Sequence, residues 1–69
     1  MARVIWERSG NPGPYVSRAL GIEEWQLRNA IHAIKRRWGL GGADRVIIYD
    51  DGTVTDEHGE ELGDILAEI

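Results

Sequence analysis

The chain has 69 residues, no cysteine, and twelve acidic against eight basic side chains, for a formal net charge of −4. This length allows one small domain, residues 1–69, with a compact core. The missing cysteines rule out disulfides, thiolate metal sites and a cysteine nucleophile, and no apolar run approaches the roughly 20 residues of a membrane-spanning helix. The charge is also sorted along the chain. Residues 1–45 hold all eight bases and four acids, a net +4, whereas residues 46–69 hold eight acids and no base. A basic half suited to a polyanion is thus joined to an acidic half.

Val4, Ile5 and Trp6 form a short β-prone run, expected to be an edge strand, and the charges at Glu7 and Arg8 follow too soon for a secretory signal. Residues 9–14 are rich in turn formers and predict a loop. Pro14 suits the first position of a helix, because its missing N–H costs nothing there. A short helix over residues 15–20 should then stop at Gly21.

The strongest periodicity lies in residues 23–38. Leu27, Ile31, Ile34 and Trp38 recur at i, i+4, i+7 and i+11, one narrow helical stripe that Ala30 widens. Glu23 and Glu24 in the first turn, and Lys35, Arg36 and Arg37 in the last turns, complement the helix dipole. Gly39 suits the position just past the helix end.

Residues 41–44 read as a loop and 45–49 as a strand, with Val46 and Ile48 on one face and Ile47 and Tyr49 on the other. Asp50, Asp51 and Gly52 turn the chain into a return strand at 53–55, and residues 56–59 make a second turn. The tail, residues 60–69, fits a third strand or a terminal helix, with strand preferred. Trp6, Tyr15, Trp25, Trp38 and Tyr49 are the large side chains available to a small core. The expected fold class is α+β: a short N-terminal strand and two helices packed on a small antiparallel β-meander, with the helical stripe covering one sheet face.

Chemistry concentrates on the polar flank of the second helix. Arg28, His32 and Arg36 follow at intervals of four and Lys35 lies three beyond His32, so all four fall within an arc of about 100° beside the apolar stripe. Trp25 stands at the edge of that arc. A histidine among cations is what RNA cleavage without a metal requires: the imidazole moves a proton at the 2′-oxygen or the leaving oxygen, and the cations stabilise the charge gathering on phosphorus. Trp25 would offer a face to an unstacked base. The plainer reading makes Glu24 and Arg28 an i,i+4 pair and the rest a solvated helix face.

His58, with Asp56, Glu57 and Glu60, is a secondary candidate: a carboxylate–histidine set, a weak divalent-metal site, or simply a polar turn. Asp50, Asp51 and Gly52 do not match the calcium-loop spacing, the glycines form neither a Walker nor a dinucleotide fingerprint, and Ser9 and Ser17 lack a nucleophile-elbow pattern.

Two resemblances follow. Residues 15–34 resemble a helix-turn-helix, with Ala19, Leu20, Gly21 and Ile22 as the turn and Trp25, Gln26, Leu27 and Arg28 opening the helix that would read base edges. Against this, Glu23 and Glu24 sit where a DNA backbone would approach, and no Ser or Thr caps the helix.

From Ala30 onward the chain is similar to the C-terminal toxin domains of bacterial polymorphic toxins of the contact-dependent inhibition type. The residues carrying this likeness are Ile31, His32, Ala33, Ile34 and Lys35, the glycine-rich stretch 39–46, the hairpin 51–56, and Gly59, Glu60, Glu61, Leu62, Gly63, Asp64 and Ile65. The resemblance implies a ribonuclease working without cofactor or metal, with His32 and Lys35 catalytic, while the helical arc itself nominates Trp25, Arg28 and Arg36 to bind substrate. It also implies RNA as substrate, a cognate immunity protein or antitoxin as partner, no membrane association, and action in the bacterial cytoplasm, including after delivery from another cell. The alternative is a non-catalytic helix-turn-helix-like nucleic-acid-binding module, or a protein-interaction module whose acidic hairpin docks on a basic partner.

Overall fold

The computed structural model describes residues 2–10 and 12–69; Met1 and Asn11, the latter within the expected 9–14 loop, lie outside the described residues. The elements in chain order are β1 (Val4–Arg8), α1 (Pro14–Leu20), α2 (Glu24–Arg37), β2 (Val46–Tyr49), β3 (Thr53–Thr55), β4 (Glu61–Asp64) and α3 (Ile65–Glu68). The strands form one antiparallel sheet in the order β1-β2-β3-β4. The protein is therefore α+β with a small meander, to which β1 adds itself after the chain has passed through both longer helices.

The alternation of β2 sets the two sheet faces. Val46 and Ile48 are fully buried, whereas Ile47 and Tyr49 are half-buried. Across the sheet Ile48 stands opposite Trp6 on one side and Val54 on the other, and Val54 stands opposite Gly63. Onto this face α2 lays Leu27, Ala30, Ile31 and Ile34, joined in the core by Val16, Leu62 and Ile65. The approach to β4 is close: a Cβ at Gly63 would lie 3.0 Å from Ile34 Cγ1 and 3.2 Å from its Cδ1. Glycine at 63 lets the helix settle against the strand without overpacking.

Both ends of α2 are closed by local bonds. The Glu23 N–H donates to Gln26 Oε1 at 3.0 Å, which satisfies the entry where no Ser or Thr cap exists. At the exit, Gly39 takes φ +70°, Leu40 N–H donates to the Lys35 carbonyl at 2.8 Å and Gly39 N–H to the Arg36 carbonyl at 3.2 Å. This is a Schellman closure, and it folds Leu40 back onto the core.

Two expectations change. The large aromatics do not fill the core: Tyr15, Trp25 and Trp38 are exposed, Trp6 and Tyr49 are half-buried, and every core side chain is aliphatic. Trp38 belongs to the stripe by spacing but lies at the helix end, where its indole N–H donates to the Leu62 carbonyl at 2.7 Å and the ring stays 46% exposed. The tail is also not strand throughout. Strand β4 ends at Asp64, whose carboxylate accepts the Leu66 N–H at 3.0 Å and caps the short helix α3. That turn buries Ile65, whose N–H donates to the Gly52 carbonyl at 2.8 Å. Gly52 itself has φ +94°, and an added Cβ would meet Asp64 Oδ1 at 2.7 Å, so two constraints demand glycine at this crossing. Among the described residues, no helix is long and apolar enough to cross a membrane.

Candidate functional site

The outward and loop-facing flanks of α2 carry the predicted residues. His32, Arg28 and Arg36 are exposed on successive turns, while Lys35 is only 7% exposed. Lys35 sits about 60° closer to the stripe than His32 at 100° per residue, so its aliphatic stem packs along the core edge and its ammonium must reach water at the end of that stem. None of the ion pairs formed among the described residues involves it.

The opening it reaches is a groove of about 350 Å³ lined by Gly10, Ile31, His32, Lys35, Arg36, Leu40, Gly41 and Gly42. One wall is α2. The other is made where two loops meet: Gly10 N–H donates to the Gly42 carbonyl at 2.9 Å, and the 41–44 loop is tightened by the Asp44 carboxylate accepting the Gly41 N–H at 2.6 Å. No carboxylate side chain lines this groove among the described residues. An imidazole and two cations therefore share a concave surface with glycines that let a ligand approach the backbone. Such a set attracts an anion and can move a proton beside it.

His32 and Arg36 also line a second, shallower groove on the outer face of the helix, with Arg28, Asn29 and Ala33. Arg28 thus belongs to the same cationic surface but not to the loop-walled groove. Trp25, 58% exposed, stands about two turns further toward the helix start. It lines a third groove with Gln26, Asn29, Ala30, Glu68 and Ile69, and shares no groove with His32 or Lys35.

His58 is separate again. Its side chain is 82% exposed, with Nε2 3.9 Å from Glu57 Oε1. The Asp56 carboxylate accepts the N–H groups of His58 and Glu60, at 2.8 and 2.9 Å, which makes this segment a self-satisfied turn. It lines a groove with Leu40, Ala43, Asp44, Arg45, Asp56 and Glu57, which shares Leu40 with the His32 groove but does not contain His32. Among the described residues, no three His, Asp or Glu side chains come together as a metal-ligand group.

The sequence marks the helical half of the main groove by spacing. It does not mark Gly10, Leu40, Gly41 and Gly42 as its other wall, because these stand some thirty residues apart and meet through a loop–loop hydrogen bond. Comparisons with protein-family models, with curated proteins and with solved structures find no match.

Proposed function

We propose that this chain is a small toxin-type ribonuclease domain that cleaves RNA at the groove between α2 and the 10 and 41–42 loops. The observation that carries the reading is the joining of His32, Lys35 and Arg36 in one concave surface free of carboxylates among the described residues. In this reading the His32 imidazole takes the proton of a ribose 2′-hydroxyl. The 2′-oxygen bonds to the adjacent phosphorus, the phosphorus–O5′ bond breaks, and O5′ collects a proton from water. The products are a 2′,3′-cyclic phosphate and a 5′-hydroxyl. Lys35 and Arg36 hold the non-bridging oxygens as charge gathers on them, and Arg28 holds a neighbouring phosphate. The same reading has the domain act in the bacterial cytoplasm, with an immunity protein as the partner that neutralises it.

A second reading, a nucleic-acid-binding module without catalysis, is favoured by the junction of α1 and α2. Gly21 takes φ +71° and Ile22 N–H donates to the Ser17 carbonyl at 3.0 Å, giving the short turn of a helix-turn-helix. One experiment separates the two. Purified protein is incubated with total RNA in excess chelator beside His32→Ala. The ribonuclease reading expects cleavage that falls by about 100-fold or more in the variant, the range for loss of a general base. Cleavage by the variant at the wild-type rate overturns it, and RNA binding without cleavage by either protein selects the second reading.

A further inference from the structure

The three grooves on α2 are not independent. The loop-walled groove and the outer groove share His32 and Arg36, and the outer groove shares Asn29 with the one that holds Trp25. Together they make a continuous path along the helix from Arg36 to Trp25, about 16 Å at the helical rise of 1.5 Å per residue. The path is cationic at one end and aromatic at the other. A chain of phosphates carrying flat bases matches that order: the anionic backbone lies along Arg36, His32 and Arg28, and a base reaches the indole.

The far end also has fixed polar directions. Gln26 lines the Trp25 groove, and its Oε1 accepts the backbone N–H of Glu23 at 3.0 Å. Only an oxygen can accept from that N–H, so the orientation of the amide is set by the backbone and its NH₂ is left to donate. Glu68 also lines this groove, but both its oxygens lie 3.0 Å from Arg37 Nη2. Among the described residues, the one carboxylate side chain that lines these three grooves is therefore paired with a guanidinium, which lowers its repulsion of a phosphate and its competition for a donor on the base.

We propose that the groove of Trp25, Gln26 and Asn29 is a base-binding subsite for single-stranded RNA, one that prefers an oxo base, uracil or guanine, to adenine. The proposal rests on RNA being the substrate of the adjoining groove. A single strand is required because stacking on the indole needs an unpaired base, and duplex RNA keeps its base faces covered. The preference arises because the fixed Gln26 donor meets an acceptor at O4 of uracil or O6 of guanine, but an amino group at the corresponding position of adenine.

The test uses the full chain and four-nucleotide 2′-O-methyl RNAs, which cannot supply the attacking hydroxyl, with affinity read by fluorescence anisotropy. An adenine tetranucleotide carrying one uracil should bind about tenfold or more tighter than its all-adenine counterpart, and the same four nucleotides held paired in the stem of a stable 2′-O-methyl hairpin should bind more weakly than the free strand. Trp25→Ala should lose about tenfold on the uracil-containing RNA, within the range for one stacked base, and Trp25→Phe should recover most of that loss. Equal binding of the two tetranucleotides, hairpin binding as tight as free-strand binding, or unchanged binding by Trp25→Ala overturns the subsite. The cleavage assay with His32→Ala stands apart. His32-dependent cleavage with no effect of Trp25→Ala on binding sinks the subsite alone, whereas uracil-preferring binding without cleavage sinks the ribonuclease and keeps the subsite.

Discussion

Trp38 and Leu62 are joined by a 2.7 Å hydrogen bond from the indole Nε1 to the backbone carbonyl, fastening the last turn of α2 to the edge strand β4. The bond falls where β4 is irregular: Val54 pairs with Gly63 and Thr55 with Glu61, leaving Leu62 bulged out of register. A bulged residue gives up its ladder partner, and the indole supplies one. Trp38→Phe keeps an aromatic ring and removes the donor. We expect a loss of about 1 kcal/mol, the net worth of one hydrogen bond, seen as a fall in melting temperature of about 4–8 °C for a domain of this size.

Gly63 and Ile34 set how closely α2 can approach the sheet. With Ile34 1% exposed and a Cβ at 63 lying 3.0 Å from it, the helix has little room to yield. Gly63→Ala should destabilise by about 1–3 kcal/mol as an overpacked core position. Denaturant unfolding will measure this, and a double-mutant cycle with Ile34→Val should show coupling between the two sites, because the shorter side chain removes one of the close contacts.

Lys35 allows fold and function to be separated at one position. Lys35→Met keeps an unbranched stem of similar reach and deletes the charge. Because the residue is 7% exposed through its packed stem, which methionine keeps, stability should stay within about 1 kcal/mol of wild type by chemical denaturation. RNA cleavage should fall by about 100- to 1,000-fold, as for removal of one donor to a charged transition state. A variant that melts like wild type and still cuts RNA at full rate would remove Lys35 from the site.

His58 provides the internal control. It lines a different groove from His32 and is 82% exposed in a turn that closes its own hydrogen bonds. His58→Ala should change the rate of RNA cleavage by less than about twofold, against the loss of about 100-fold expected for His32→Ala in the same assay.

Asp51 is expected to add a small contribution to the acid limb of the stability curve, because its carboxylate is exposed to solvent. Its carboxylate accepts the Thr53 backbone N–H at 3.0 Å, and that bond, followed by one from the Thr53 side chain, holds its pKa below the ordinary value of 3.8. A carboxyl whose folded value is depressed adds stability that is complete above its unfolded value and is lost as pH falls through the folded one. In NMR titration the Asp51 carboxyl carbon should turn over at lower pH in the folded protein than in the urea-unfolded chain. Asp51→Asn should flatten that part of the acid limb.

The sequence by itself determined the elements with a strong local period or a turn residue. The α2 stripe was legible at Leu27, Ile31 and Ile34, the β2 alternation at Val46 and Ile48, and the ends of both longer helices at Gly21 and Gly39, because each depends on neighbours within one or two turns. It also determined that His32, Lys35 and Arg36 share a helix flank, since helical spacing alone brings them together. Only the tertiary structure decided what lies opposite that flank. Gly10 and Gly42 meet through a backbone hydrogen bond between distant loops, which no local pattern encodes. It also decided that Lys35 is covered while His32 is open, and that Trp25 lines a groove of its own. The same holds for the core. Size nominated the aromatics, yet the buried core positions are filled by aliphatic side chains, Trp6 packs only partly buried against them, and Trp38 lies at the helix end, where it bonds a bulged carbonyl. The tail shows why ten residues could not be read as one element: its strand ends where the Asp64 carboxylate caps a new turn and Ile65 is drawn under Gly52, a contact set by the hairpin and not by the tail.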